Sequence, residues 1–78
     1  MFGLAKLIEY PDVQDPTMQG IELFDTFQEA QSRSEELIND FNENYGEDYS
    51  ESASEKNPVA IASNGEVTWR GYIVEIQK

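Results

Sequence analysis

An α+β fold, with four mainly antiparallel strands and one long helix in the order β-β-α-β-β, is predicted by three features of this 78-residue chain. A helix-capping sequence opens a run whose apolar residues recur at helical spacing. Short apolar runs bounded by Pro or Gly lie on either side of that run. An Asn-Gly pair near the end marks a tight hairpin. The helix is expected to pack across one face of a single sheet, in one domain spanning residues 1–78.

Leu4–Tyr10, rich in Leu, Ile and Tyr, reads as the first strand, closed by Pro11. Asp12–Gln19 contains Pro16 and polar residues and reads as a loop. Gly20–Phe24 alternates apolar and acidic residues and reads as a second strand, hairpinned to the first. Thr26-Phe27-Gln28-Glu29 matches a capping box, in which the hydroxyl and the carboxylate each accept from a backbone amide left unpaired at the helix start. Phe27, Ala30, Ser34, Leu37, Ile38, Phe41 and Tyr45 then fall on one helical face. Gly46 stands where a left-handed C-cap is wanted, so the helix is expected over Phe27–Tyr45, about 28 Å long.

Residues 47–57 lack apolar periodicity and read as an acidic loop. Pro58 opens a strand at Val59–Ser63, and Asn64-Gly65 predicts a type I′ turn into a strand that starts at Glu66. Along that last strand Val67 and Trp69 share one phase while Tyr72, Val74 and Ile76 share the other, which predicts a β-bulge at Arg70-Gly71. The apolar stripe of the helix is expected to bury against Leu7, Ile8, Leu23, Ile61 and the later aromatics.

Composition narrows the chemistry. There is no cysteine, hence no disulfide and no thiolate, and no histidine, the usual base near neutral pH and the commonest transition-metal ligand. A chain this short buries only about 60–65% of its unfolded surface, so a dimer is expected to supplement its stability. Its start is too short and too soon acidic for a signal peptide, and no run reaches membrane-spanning length. A cytoplasmic protein that binds neither membranes nor nucleic acid directly is expected, because anionic surfaces repel a net charge of −11.

That charge is concentrated. Between Glu22 and Glu55 stand eleven carboxylates and one cation, Arg33, a net −10 in 34 residues. Glu29, Glu36, Asp40 and Glu43 are placed on the solvent side of the helix with Glu35 on its flank, and Glu47, Asp48, Glu51 and Glu55 continue the charge beyond its end. Solvated helix faces usually mix both signs; here like charges at Glu36–Asp40 and Glu43–Glu47 repel by a few tenths of a kcal/mol each. A row of carboxylates at that step has the regular negative charge of a nucleic-acid backbone, and it suits a groove lined with Lys and Arg.

Other chemistries fit less well. Asp40 to Glu51 approximates a calcium-binding loop, but Tyr45 occupies the sixth position, where the turn needs glycine, and no exit helix precedes Pro58. Sixteen acids make a chance carboxylate pair easy, yet the chain is small for a substrate cleft, and no enzyme activity, metal or cofactor is expected. Among Phe2, Trp69 and Tyr72, at least two are expected in the core, with Trp69 the candidate for a dimer contact.

Short length, extreme acidity, absence of cysteine and histidine, and an α+β plan together resemble the small host-takeover proteins of bacteriophages, several of which are DNA mimics. The resemblance is one of character over the whole chain, carried most strongly by residues 29–55. It implies an inhibitor that occupies the basic nucleic-acid groove of a host protein, such as the nucleoid protein HU, a uracil-DNA glycosylase, a restriction enzyme or a CRISPR effector, with HU favoured because a small acidic dimer suits a small basic one. Glu29, Glu35, Glu36, Asp40, Glu43, Glu47, Asp48 and Glu51 would then stand in for phosphates. The alternatives are an interaction module that grips a host enzyme through its sheet edge and Trp69, and a small structural protein whose acidity serves solubility alone.

Overall fold

The computed structural model describes residues 1–77. Its elements run β1 (Phe2–Glu9), β2 (Thr17–Phe24), α1 (Phe27–Tyr45), β3 (Tyr49–Glu51), β4 (Val59–Ser63) and β5 (Thr68–Glu75). The five strands form one sheet in the order β2-β1-β5-β4-β3, with every neighbouring pair antiparallel. The α+β class and the helix-on-sheet plan match the sequence reading. The number of strands does not: β3, inside the expected acidic loop, pairs Tyr49 with Ser63 and Glu51 with Ile61 at the sheet edge. Three residues carry too little periodicity to be read as a strand.

The helix has the limits expected of it. Thr26 is extended (φ −126°, ψ 158°), its hydroxyl oxygen accepts from the Glu29 amide, and the Glu29 carboxylate accepts from the Thr26 amide at 3.1 Å. At the other end the Gly46 amide donates to the Asn42 carbonyl at 3.0 Å. Gly46 has φ +87° but ψ 154°, so the chain leaves extended rather than through the left-handed helical cap expected from sequence. That φ still calls for glycine. Ala30, Ser34, Ile38 and Phe41 are the buried face, and the fully buried Ser34 hydroxyl is satisfied by donating to the Gln31 carbonyl at 2.7 Å.

Pairing register decides which strand residues meet the helix. Phe2, Leu4 and Ile8 of β1 lie opposite Glu75, Ile73 and Trp69 of β5, and Gly71 and Trp69 lie opposite Ala60 and Ala62 of β4. Leu4, Ile8, Ile73, Trp69, Ala60 and Ala62 join Ala30, Ile38 and Phe41 in the core. Phe2 meets Phe27 edge to face, with ring centroids 6.0 Å apart. Of the four residues expected beneath the helix, Ile8 is there. Leu7, Leu23 and Ile61 have the opposite phase and lie on the other side of the sheet.

The expected bulge at Arg70-Gly71 is absent, because β5 keeps an unbroken register with both β1 and β4. The phase change along β5 has a different origin. Gly71 faces inward, and the indole of Trp69 fills the space its side chain would take: a Cβ there would lie 2.7 Å from the Trp69 ring and 3.0 Å from Leu4. The outward residues Tyr72 and Val74 are apolar in their own right. A register shift does occur in β2, where Lys6 opposes Gly20 and Leu7 opposes Met18, leaving Gln19 as the extra residue beside Gly20 at φ +120°. Bulged chain there turns Gln19 so that its side-chain oxygen accepts from the Trp69 indole N–H at 3.1 Å.

The β4–β5 hairpin is also wider than expected. Ser63 pairs with Thr68, so the connection has four residues, and Gly65 alone takes a positive φ. Asn64 nucleates the turn through its side chain, whose oxygen accepts from the amides of Glu66 at 2.9 Å and Val67 at 2.7 Å. This Asx geometry removes the need for the strained Asn conformation of a type I′ turn. The segment between β3 and β4 is built into the fold: Ala53 is buried, and Gln31 of the helix donates to its carbonyl at 2.7 Å.

Candidate functional site

A helix advances about 100° per residue, which places Glu29, Glu36, Asp40 and Glu43 within an arc of roughly 60°. That arc lies opposite the buried Ala30, Ser34, Ile38 and Phe41, and all four acids are exposed. They form one negative ridge about 21 Å long at 1.5 Å per residue. Four charges over that length are sparser than one DNA strand, which carries a charge about every 3.4 Å. A duplex-like density therefore needs the acids beside the ridge.

Those neighbours are divided between two places. Glu35 sits on the helix flank, and Glu47 joins it around a shallow depression that Asn39, Asn42, Ser50 and Ser52 also line. Glu47 is held there by Asn42, which donates to it at 2.8 Å, and by the Ser50 hydroxyl at 3.0 Å. Asp48 and Glu51 lie on the β3 side. Asp48 lies beside the Gly65 turn, and Glu51 accepts from the Tyr49 hydroxyl and from Asn57. The Tyr49 phenol is held above its usual pKa, because it donates a hydrogen bond to the Glu51 carboxylate and because ionising it would place two negative charges together. The eight acids are thus a ridge of four, a flank pair and an edge pair, rather than one continuous row.

Their charges are unequally free. Glu29 is engaged in the capping box. Glu36 lies 3.6 Å from Arg33, an exposed pair of small energetic weight. Asp40, Glu43, Glu35, Glu47, Asp48 and Glu51 have no ion-pair partner among the described residues, and no three carboxylates there converge on a metal-sized point.

Glu22, counted with the acids by sequence, is a structural residue. It faces the helix side of the sheet opposite Leu4, accepting from Lys6 at 2.7 Å and from Arg33 at 3.0 Å. The Lys6 and Arg33 hydrogen bonds hold its pKa below the ordinary carboxylate range, and Glu22 in turn raises that of Arg33. Lys6 gave the available signal: it shares the inward phase of Leu4 and Ile8, and a half-buried ammonium requires an acid across the sheet–helix seam. Glu22→Gln is expected to cost about 1–2 kcal/mol, as the loss of a charge-assisted hydrogen-bond pair. A lowered folded-state pKa contributes stability that is present above the unfolded value near 4.3 and lost as pH falls through the folded one. The gap between variant and wild type should therefore close on acidification below about pH 4, as read by urea titrations at several pH values.

Trp69, the candidate dimer contact, is enclosed. Its relative exposure is 3%, its ring covers Gly71, and its N–H is taken by Gln19. A side chain in that position has no surface to offer a second copy or a host enzyme. The phase of β5, misread as a bulge, concealed this inward placement.

Sequence reasoning also missed the sheet surface that the helix leaves uncovered. Met18, Ile21, Leu23 and Val74 are 56%, 55%, 60% and 47% exposed. The alternation in Gly20–Phe24 signalled a two-faced strand, but assigned its apolar side to the helix. No helix is long and apolar enough to cross a membrane among the described residues. Searches against protein-family models, curated proteins and solved structures give no match.

Proposed function

We propose that the chain is a DNA-mimicking inhibitor that occupies the basic nucleic-acid groove of a DNA-binding protein by stoichiometric occlusion, with a nucleoid protein of the HU kind as the first partner to test. The observation that carries this reading is the ridge of Glu29, Glu36, Asp40 and Glu43 opposite the buried face of α1, with Glu35 and Glu47 on its flank. Holding like charges in a row works against folding, and a cationic groove is the surroundings in which that row becomes favourable. Rigidity adds to it, since charges carried on a capped, packed helix lose little freedom on binding.

The competing reading, a module gripping a host enzyme through the sheet edge and Trp69, loses its aromatic anchor to the core. The two also differ in salt response. Binding through the acidic ridge is expected to weaken steeply as salt rises, whereas an apolar grip would resist it. The test is competition: HU–DNA complexes titrated with the protein at low and at high salt, followed by fluorescence anisotropy of the DNA. Displacement at low salt that fades at high salt is the expected result. No displacement from HU or from other basic groove proteins at low salt would overturn the reading.

A further inference from the structure

We infer that the helix-free face of the sheet is a homodimer interface, joining two copies face to face. Pairing register places Met18, Ile21 and Leu23 of β2, Ala5 and Leu7 of β1, Tyr72 and Val74 of β5, and Val59 and Ile61 of β4 on this side. Among the described residues no element covers them, because the helix lies on the opposite side. Ile21 and Ile76 close over Gly3, where a Cβ would lie 2.9 Å from Ile76, so this end of the face is packed backbone and aliphatic carbon. A contiguous apolar surface of this kind is what monomeric proteins avoid exposing.

Charge selects a second copy as the occupant. The strands contribute only Glu9, Arg70 and Glu51 to this face, and Glu9 is ion-paired with Arg70. The face therefore holds a net −1 of the chain's −11. It is a broad surface on which two such chains can approach without stacking their acids. A basic partner is drawn instead to the helix side, and an acidic one is repelled by the whole molecule. Glu9 and Arg70 present one charge of each sign on a single patch, which suits the self-complementary contact of a two-fold interface.

The area is sufficient. The five strands hold 32 residues in all, and at about 3.3 Å per residue with strands about 4.8 Å apart they give a face of roughly 500 Å². Two such faces bury about 1,000 Å², the size a specific interface has to reach. In this arrangement the two helices lie on opposite outer sides and both acidic ridges stay free. The inference stands apart from the mimicry reading, since it concerns the opposite side of the molecule and is read without any target.

Sedimentation equilibrium of the full chain tests it. The expected mass is twice 8.9 kDa. The dimer should tighten as salt rises, because screening relieves repulsion between two −11 chains while the apolar contact is untouched. That is the reverse of the salt response expected for target binding. Ile21→Glu and Val74→Glu, both at half-exposed positions, are each expected to weaken the dimer on the order of 100-fold with an unchanged far-ultraviolet circular dichroism spectrum. Ile21→Thr, which adds no charge and keeps strand propensity, should weaken it about tenfold. A wild-type monomer at all salts and at high concentration would overturn the inference, including one that binds phosphatidylcholine vesicles through this face. So would a dimer indifferent to all three substitutions.

Discussion

Trp69→Ala is expected to cost about 3–5 kcal/mol, the range for deleting a large buried aromatic. A domain of this size has a total stability of about 4–12 kcal/mol, so the variant loses between about a quarter and all of it. The cost arises in three places. The indole is the filler above Gly71, where the main chain has no side chain of its own, and its loss leaves a cavity against Leu4. Ile8 and Ala62, its register partners on either side, lose a neighbour. Gln19, turned inward by the β2 bulge, loses the N–H it accepts. Thermal melts by circular dichroism measure the effect, and a fall in Tm of more than about 12 °C is expected. As the only tryptophan, Trp69 also reports its own surroundings, and wild-type emission should be that of an apolar environment. A loss below about 1 kcal/mol, or emission typical of water, would contradict its place in the core.

The second large effect is on binding. Glu36→Gln, Asp40→Asn and Glu43→Gln together remove three of the four ridge charges while leaving Glu29 in its capping box, whose loss would cost about 1 kcal/mol on its own. Competition for the basic groove is expected to weaken on the order of 10-fold to 100-fold at low salt, with a shallower dependence on salt. Stability should hold within about 0.5 kcal/mol. Relief of the Glu36–Asp40 repulsion and loss of the exposed Arg33–Glu36 pair are both small and opposite in sign. Isothermal titration at two salt concentrations and urea unfolding separate the two quantities. Unchanged competition with unchanged stability would remove the ridge from the interface and, with it, the basis of the mimicry reading. Charge reversal at Glu22 is no substitute for this experiment, because Glu22 holds Lys6 and Arg33 across the sheet–helix seam.

What the sequence by itself determined are the features set within one turn of backbone. Thr26 and Glu29 cap the helix through contacts three residues apart, Tyr45-Gly46 ends it, and Pro58 and Asn64 bound the fourth strand. The acidic ridge was legible for the same reason, since helical periodicity alone sets which residues share a face. Strand faces were not legible. Side chains alternate from one side of a sheet to the other, so a single extra residue or an inward glycine inverts the assignment of everything beyond it. Gln19 shifts β2 and Gly71 disguises the inward phase of β5, and each makes sense only once Trp69 is seen between them. Tertiary packing alone decided that Glu22 faces inward, that Leu23 faces out, and that an apolar sheet surface lies open opposite the acids. Its currency is contact between segments far apart in the chain, such as Gln19 and Trp69, fifty residues apart, and local pattern carries no record of it.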